Sequence, residues 1–243
     1  MERIAVILQA RLGSHRLPGK VLARIGTRTL LEHSLIRLAA SGLPLIVATT
    51  DRQEDDAIER EAVRLGAKVF RGDSDNVLAR FIAAGHEHQL TTIIRACGDN
   101  PFLDADGPAR ALALFGRVAA DHVIECGLPS GTAVEIVTLA ALERAQQLIT
   151  DPYDREHVTS FIKRDSRFRA LRVVAPGDVR RPGLRLTVDT QEDLDFVRAV
   201  LAQTGAGTRV PRLGEVIKAA EVLRVRAAAA AAAAAQNLTR QGA

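Results

Sequence analysis

The residues best equipped for chemistry crowd into one short stretch, Leu8 to Lys20, which reads L-Q-A-R-L-G-S-H-R-L-P-G-K. Arg11, Arg16 and Lys20 supply three cations and Ser14 a hydroxyl, while Gly13 and Gly19 let backbone approach a ligand closely. This composition suits a polyphosphate, because backbone N–H groups can reach its oxygens and fixed cations neutralise its charge. An apolar run that reads as a buried strand, Ile4 to Leu8, precedes it, and Leu30 to Leu38 beyond it keeps helical spacing. The stretch is therefore expected to be a strand-to-helix loop. Two standard phosphate patterns come near without fitting. Gly13 and Gly19 enclose five residues and Val21 follows Lys20, which breaks the Walker pattern, and G-x-G-x-x-G is missing.

Acids that could meet this loop lie far along the chain. Asp99 follows the apolar run Thr91 to Cys97 directly, between Gly98 and the rigid Pro101, and is the first candidate for a metal. Its alternative role is to cap a turn or the following helix. Asp189 closes the run Leu184 to Val188 and precedes Thr190, an N-cap residue type. It is read either as a second metal ligand or as a helix-terminal acid acting on the dipole.

The segment A-R-L-G-S-H-R-L-P-G-K resembles the nucleotide-binding loop of sugar cytidylyltransferases, the group that includes 3-deoxy-manno-octulosonate cytidylyltransferase and the SpsF-type spore-coat polysaccharide proteins. The SpsF-type branch looks nearer. Gly98-Asp99-Asn100-Pro101 matches that family's G-D-x-P, and L-R-L-T-V-D-T-Q-E-D-L resembles its V-D-T-x-E-D-L. The likeness spans roughly residues 3 to 225. It implies a three-layer α/β/α fold of the nucleotide-diphospho-sugar transferase type with a mostly parallel sheet. It also implies a Mg²⁺-dependent transfer of CMP from CTP to an acidic sugar, with pyrophosphate released, in a homodimer.

Residue by residue, the resemblance places Leu8, Ala10, Arg11, Gly13, Ser14, Arg16, Lys20, Cys97 and Gly98 around the nucleotide. Arg11, Arg16 and Lys20 carry the catalytic charge, and Asp99 and Asp189 hold Mg²⁺. Two carboxylates leave several positions of that ion for water and phosphate oxygens, as it prefers. Glu135, in G-T-A-V-E, and Glu156 and His157, in R-E-H-V-T, fall on the sugar side, with a structural role at a helix start as the alternative for His157. One departure stands out. Where the octulosonate enzymes carry a glutamine that reads the cytosine edge, this chain has Cys97, and a thiol offers no such paired donor and acceptor. Selection of cytosine then rests on backbone near Ala10, or the base differs.

The elements that must position these residues alternate. After the helix that Thr29 caps and Gly42 ends come a strand at Leu45 to Thr50, a helix from Asp55 to Leu65, and a short strand Lys68 to Phe70. A helix capped by Asp73 or Ser74 follows, then the strand that delivers Asp99 and a helix capped by Asp104. Further strands are expected at His122 to Glu125, Ala133 to Val137, Leu171 to Val174 and Leu184 to Val188, with helices at Leu139 to Ile149 and Asp154 to Lys163. Such alternation argues a mostly parallel sheet covered on both faces, with ligands beyond the carboxyl ends of its strands. The loop, Asp51 and Asp99 are therefore expected to share one edge.

Composition narrows the class. Hydrophobic residues at 47% and charged residues at 26% are ordinary for a soluble globular protein, and 243 residues are ample for one large α/β domain, here residues 1–226. A net charge of +4 with dispersed basic residues and 3% aromatics argues against a nucleic-acid surface but suits a small anionic ligand. Cys97 and Cys126 form no disulfide framework or metal spacing. With no signal segment or membrane-length apolar run, a cytoplasmic protein without membrane insertion is expected. Residues 227–235 are all alanine, which can extend the helix Val216 to Val225 into the tail 227–243. Two rival functions remain: a glycosyltransferase holding its metal on Asp73-Ser74-Asp75, and a non-catalytic nucleotide-binding protein.

Overall fold

The computed structural model describes residues 3–241. In chain order its strands are β1 (Ile4–Gln9), β2 (Arg24–Ile25), β3 (Arg28–Thr29), β4 (Leu45–Thr50), β5 (Lys68–Gly72), β6 (Thr92–Cys97), β7 (His122–Cys126), β8 (Glu135–Thr138) and β9 (Ala170–Val174). Its α-helices are α1 (Leu30–Ala39), α2 (Asp56–Arg64), α3 (Val77–Glu87), α4 (Gly107–Phe115), α5 (Leu139–Leu148), α6 (Pro152–His157), α7 (Ser160–Arg164), α8 (Gln191–Gln203) and α9 (Leu213–Gln241).

Seven strands form one sheet in the order β5-β4-β1-β6-β8-β7-β9. β1, β4, β5 and β6 pair in parallel, β8 runs antiparallel to both β6 and β7, and β9 is parallel to β7. The alternation of side chains fills two cores. Ala5, Ile7, Ile46, Ala48, Ile93 and Val137 face α3, α5 and α7, where Leu78, Phe81, Leu142 and Ile162 meet them. Val6, Leu8, Val47, Ile94 and Ile136 face the other way, onto Leu31, Leu35 and Leu38 of α1, Ile58 of α2 and Ala111 of α4. Each Val, Leu, Ile or Phe side chain among them, buried from water, contributes roughly 1.5–3 kcal/mol. The three-layer α/β/α expectation is therefore met. A third cluster joins Ile25 of the β2–β3 hairpin, Phe102, Leu186 and Val188 to Leu194 and Val197 of α8 and Val216 and Ile217 of α9. Among the described residues no helix is long and apolar enough to cross a membrane.

Several local expectations are corrected. Leu184 to Val188 keeps a strand's alternation, with Leu184, Leu186 and Val188 buried, yet it forms only an isolated bridge from Arg185 to Ser130. The segment crosses the ends of two loops rather than lying beside a strand, so its backbone bonds go to Ser130 and to Asp99. The helix expected from Asp154 to Lys163 is broken at Val158, whose φ of 53° is unfavourable for a β-branched residue. Asn76 and Asp106, not Asp73 or Ser74 and Asp104, occupy the N-cap positions of α3 and α4. Asp55 belongs to a single 3₁₀ turn, Gln53–Asp55, ahead of α2. Thr190 caps α8 as expected, in a reciprocal capping box with Asp193. Helix α9 runs through the alanine tract.

Candidate active site

The loop after β1 is fixed from two sides. Within it, Ser14 N and Gly19 N donate to Leu12 O at 2.7 and 3.0 Å, and Gly19 adopts φ 71°, a left-handed turn that glycine accepts without cost. From outside, Asp55 is fully buried and accepts Leu12 N at 2.8 Å and the Thr50 hydroxyl at 2.5 Å. The second strand-to-helix junction thus anchors the first. Gly98 serves the neighbouring crossing: a Cβ there would stand 3.2 Å from Gln9 O, where β1 and β6 leave the sheet.

A cavity of about 400 Å³ opens at this edge, lined by Gln9, Ala10, Arg11, Ser14, His15, Arg16, Lys20, Arg80, Arg95, Cys97, Gly98, Asp99, Glu156, His157 and Asp189, with Val21 and Val77. Lys20 is its centre. The ammonium donates to Asp99 Oδ2 at 2.8 Å, Asp189 Oδ1 at 2.9 Å and Val188 O at 2.7 Å. Burial alone would lower the Lys20 pKa, but the two carboxylates outweigh it and hold the pKa above the ordinary lysine value. Asp189 is also 2.9 Å from Arg16 and 2.5 Å from Arg185. Against the opposing effect of its burial, the bonds from Lys20 and Arg185 keep its carboxyl below the usual range. The backbone N of Asp189 donates to Asp193, so the capping box of α8 also sets this acid's position.

Arg11 pairs with Glu156 at 2.7 Å across the cavity. The break at Val158 ends α6 here and turns Glu156 and His157 into the cavity wall. Partial burial pushes the His157 imidazole below its ordinary value, so it is neutral at neutral pH.

Three expected site residues lie elsewhere. The Leu8 side chain is buried in the core facing α1, because strand alternation turns Gln9 rather than Leu8 towards the cavity. Gly13 is outside the lining residues, close to Glu54. Glu135 does not line the cavity either. It is buried as the hub of an ionic network: Arg95 at 3.2 Å, His122 at 2.9 Å, Lys163 at 3.1 Å and the Thr159 hydroxyl. Asp51 is exposed and is not among the cavity residues. The D-x-D acids are spent outside the cavity too: Asp73 accepts the N–H groups of Asp75 and Asn76, and Asp75 faces solvent beside Arg52.

Sequence reasoning passed over Gln9, His15, Arg80, Arg95 and Arg185. Arg95 Nη2 donates to Gln9 Oε1 at 3.1 Å, making a polar floor where that sheet face stops being apolar. The signal was a charge inside T-T-I-I-R-A-C and an amide closing I-A-V-I-L-Q. Arg80 is buried at the wall, with its Nη1 on Asp73 O.

The donor set fits a divalent cation. Two carboxylates from separate segments converge on one point already held by a positive group, and among the described residues no set of three or more His, Cys, Asp or Glu side chains offers a rival. Such a pair beside a cationic, glycine-bearing loop is equipped to handle a nucleoside triphosphate.

Comparison with known proteins supplies the family and the fold. The spore coat polysaccharide biosynthesis protein SpsF of Bacillus subtilis is 35% identical over 215 residues, covering 84% of this chain and 89% of that one. A cytidylyltransferase structure from Leptospira borgpetersenii superposes with a TM-score of 0.82 at 26% identity, covering 94% of this chain and 96% of that one. At the level of fold, a CMP:2-keto-3-deoxy-manno-octonic acid synthetase complexed with CTP aligns with a TM-score of 0.64 at 20% identity, covering 83% and 99%. The cytidylyltransferase family profile matches residues 5–217, nearly the whole sheet and both acids of the cavity, and the chain is accordingly a member of that family of nucleotidyltransferases.

Proposed function

We propose that this enzyme joins CMP from CTP to an acidic sugar and releases pyrophosphate, with Mg²⁺ as cofactor, in the synthesis of a surface glycan. The observation that carries the reading is the meeting of Lys20, Asp99 and Asp189 at one ammonium, inside a cavity whose rim bears Arg11 and Arg16. The names of two relatives, a spore-coat polysaccharide protein and an octonic acid synthetase with bound CTP, support the substrate classes.

In this reading Arg11, Arg16 and Lys20 hold the triphosphate, with Ser14 and the loop backbone on its oxygens, and stabilise charge on the departing pyrophosphate. Asp99 and Asp189 hold Mg²⁺, which when bound polarises the α-phosphoryl group and lowers the pKa of a coordinated hydroxyl. The sugar enters beside Glu156 and His157, which orient it so that its hydroxyl faces the α-phosphorus in line with the leaving oxygen. His157, neutral at working pH, is placed to accept that hydroxyl's proton. Cys97 and the Gln9–Arg95 pair shape the floor on which base or sugar rests. The enzyme acts in the cytoplasm as a homodimer, a state that light scattering checks.

The test is a screen of CTP, UTP, ATP and GTP against acidic sugars, with pyrophosphate as readout. CTP with one acidic sugar and Mg²⁺ is expected to release pyrophosphate, and chelation to stop it. Release with UTP but not CTP would replace cytidine in the proposal.

A further inference from the structure

The reading above asks two things of one small space: Lys20 must hold phosphate, and Asp99 with Asp189 must hold a cation. In the structure the two roles collide. All three protons of the Lys20 ammonium are used, on Asp99 Oδ2, Asp189 Oδ1 and Val188 O, at 2.7–2.9 Å. A Mg²⁺ ion bound to those two carboxylate oxygens at its usual ~2.1 Å would lie within about 5 Å of that nitrogen. Two positive charges would then share a pocket in which Lys20 is only 8% exposed. Asp189 is already crowded: Lys20 and Arg16 share one oxygen and Arg185 lies on the other. Arg185 also pairs with Asp193, so Lys20, Arg16 and Arg185 already balance the carboxylates of Asp99, Asp189 and Asp193.

We propose that Lys20 is the resident counter-ion of the Asp99–Asp189 pair and that the nucleotide draws it away, so that the protein binds its divalent cation tightly only together with the nucleotide. The proposal rests on the function argued above. Its physical basis is exchange between like partners. The triphosphate offers the ammonium oxygens of the same charge as the acids it leaves, and the lysine stem is long and flexible enough to turn from one to the other. The residue sits at the end of the phosphate loop, directly after left-handed Gly19, so the exchange needs no movement of the sheet. Until then the ammonium keeps two repelling carboxylates assembled. Cation and nucleotide therefore bind with positive coupling, and Lys20 is the residue through which each favours the other.

The experiment measures Mn²⁺ binding to the full-length protein by the electron spin resonance of free Mn²⁺, with and without a non-reacting CTP analogue. Wild-type protein alone is expected to bind Mn²⁺ weakly. Lys20→Met, which keeps the stem and removes the charge, is expected to bind it about tenfold or more tightly, and to lose much of the gain that the analogue gives the wild type. Equal Mn²⁺ affinity in the two free proteins would overturn the proposal. Asp99→Asn separates this failure from a failure of the underlying reading. If that variant leaves Mn²⁺ binding to the nucleotide complex unchanged, the acids are not the cation site and both ideas fall.

A second measurement needs no variant. The chain has four lysines, Lys20, Lys68, Lys163 and Lys218, so ¹³C-lysine labelling gives a spectrum simple enough to assign. The Lys20 ε-methylene signal is expected to stay in place when Mg²⁺ is added alone and to shift when the CTP analogue follows. A shift on Mg²⁺ alone at the same concentration would overturn the exchange.

Discussion

The carboxylate of Asp55 accepts the backbone N–H of Leu12 at 2.8 Å, which ties the loop after β1 to the turn after the second sheet strand of the chain. The same side chain takes Thr50 N at 3.2 Å and the Thr50 hydroxyl, so one buried acid joins two of the connections that frame the cavity. Asp55→Ala removes all three bonds and leaves buried donors unmatched, at a cost of roughly 1–3 kcal/mol for each group left without a partner. Urea unfolding is expected to register that loss. Nucleotide affinity in the folded variant should fall as well, because the loop is no longer held in the conformation that faces the phosphates. A variant with normal CTP binding by calorimetry would show that the loop is held by its internal bonds alone.

Asp99 and Lys20 should be separable kinetically although they touch. Lys20→Ala is expected to lower kcat/KM at least a hundredfold, about 3 kcal/mol of transition-state stabilisation, at saturating metal. Asp99→Asn should instead raise the metal concentration needed for half-maximal rate and partly recover at high Mn²⁺. Equal losses in both variants at every metal concentration would mean that the acid serves only to place the lysine.

Much of this cavity could be read from the sequence, because its main parts are local. Three cations and two glycines within ten residues of a strand end mark the loop whose Arg11, Ser14, Arg16 and Lys20 line the cavity, and Thr190 followed by Asp193 announces a helix start. What the sequence concealed depended on neighbours. Leu184 to Val188 alternates as a strand should, but a ladder needs a partner, and here loop ends lie alongside. Arg-Glu-His-Val-Thr-Ser contains no glycine or proline, so the helix break at Val158 leaves no local trace. Glu135 was expected at the sugar because its segment resembles one there. Its neighbours on β6, β7 and α7 are instead basic, and they draw it inward. Asp55 read as part of a helix start, and only the fold brings Leu12 within its reach.

Cys97 offers a chemical test of the cavity floor. Burial pushes its thiol up to about 11, with the Arg95 charge only partly opposing, so almost none is thiolate at pH 8. Alkylation by iodoacetamide at that pH, followed by mass spectrometry, is expected to be about a hundredfold slower than for an unperturbed thiol. Cys97→Ser should retain activity, because the group acts as a small neutral wall. Rapid labelling of Cys97 would mean that the floor is open to water and that Arg95 stabilises a thiolate there.

Glu135 should govern acid stability rather than sugar binding. Burial by itself would raise its pKa, but the Arg95 charge, the bond from His122 and the Lys163 charge outweigh that and hold the carboxyl far below its ordinary 4.5. A carboxyl depressed in the folded state stabilises the fold fully above its unfolded pKa, and that contribution drains away as pH falls from about 4.5 towards the folded value. Replacing Glu135 with Gln keeps the shape and strands a buried guanidinium, which should cost about 3–5 kcal/mol at pH 7. Because wild type loses this advantage in acid and the variant has none to lose, the gap between their guanidinium unfolding curves should shrink between pH 5 and pH 3. Curves that stay parallel across that window would mean that another group carries the acid transition, and that the network contributes packing rather than charge.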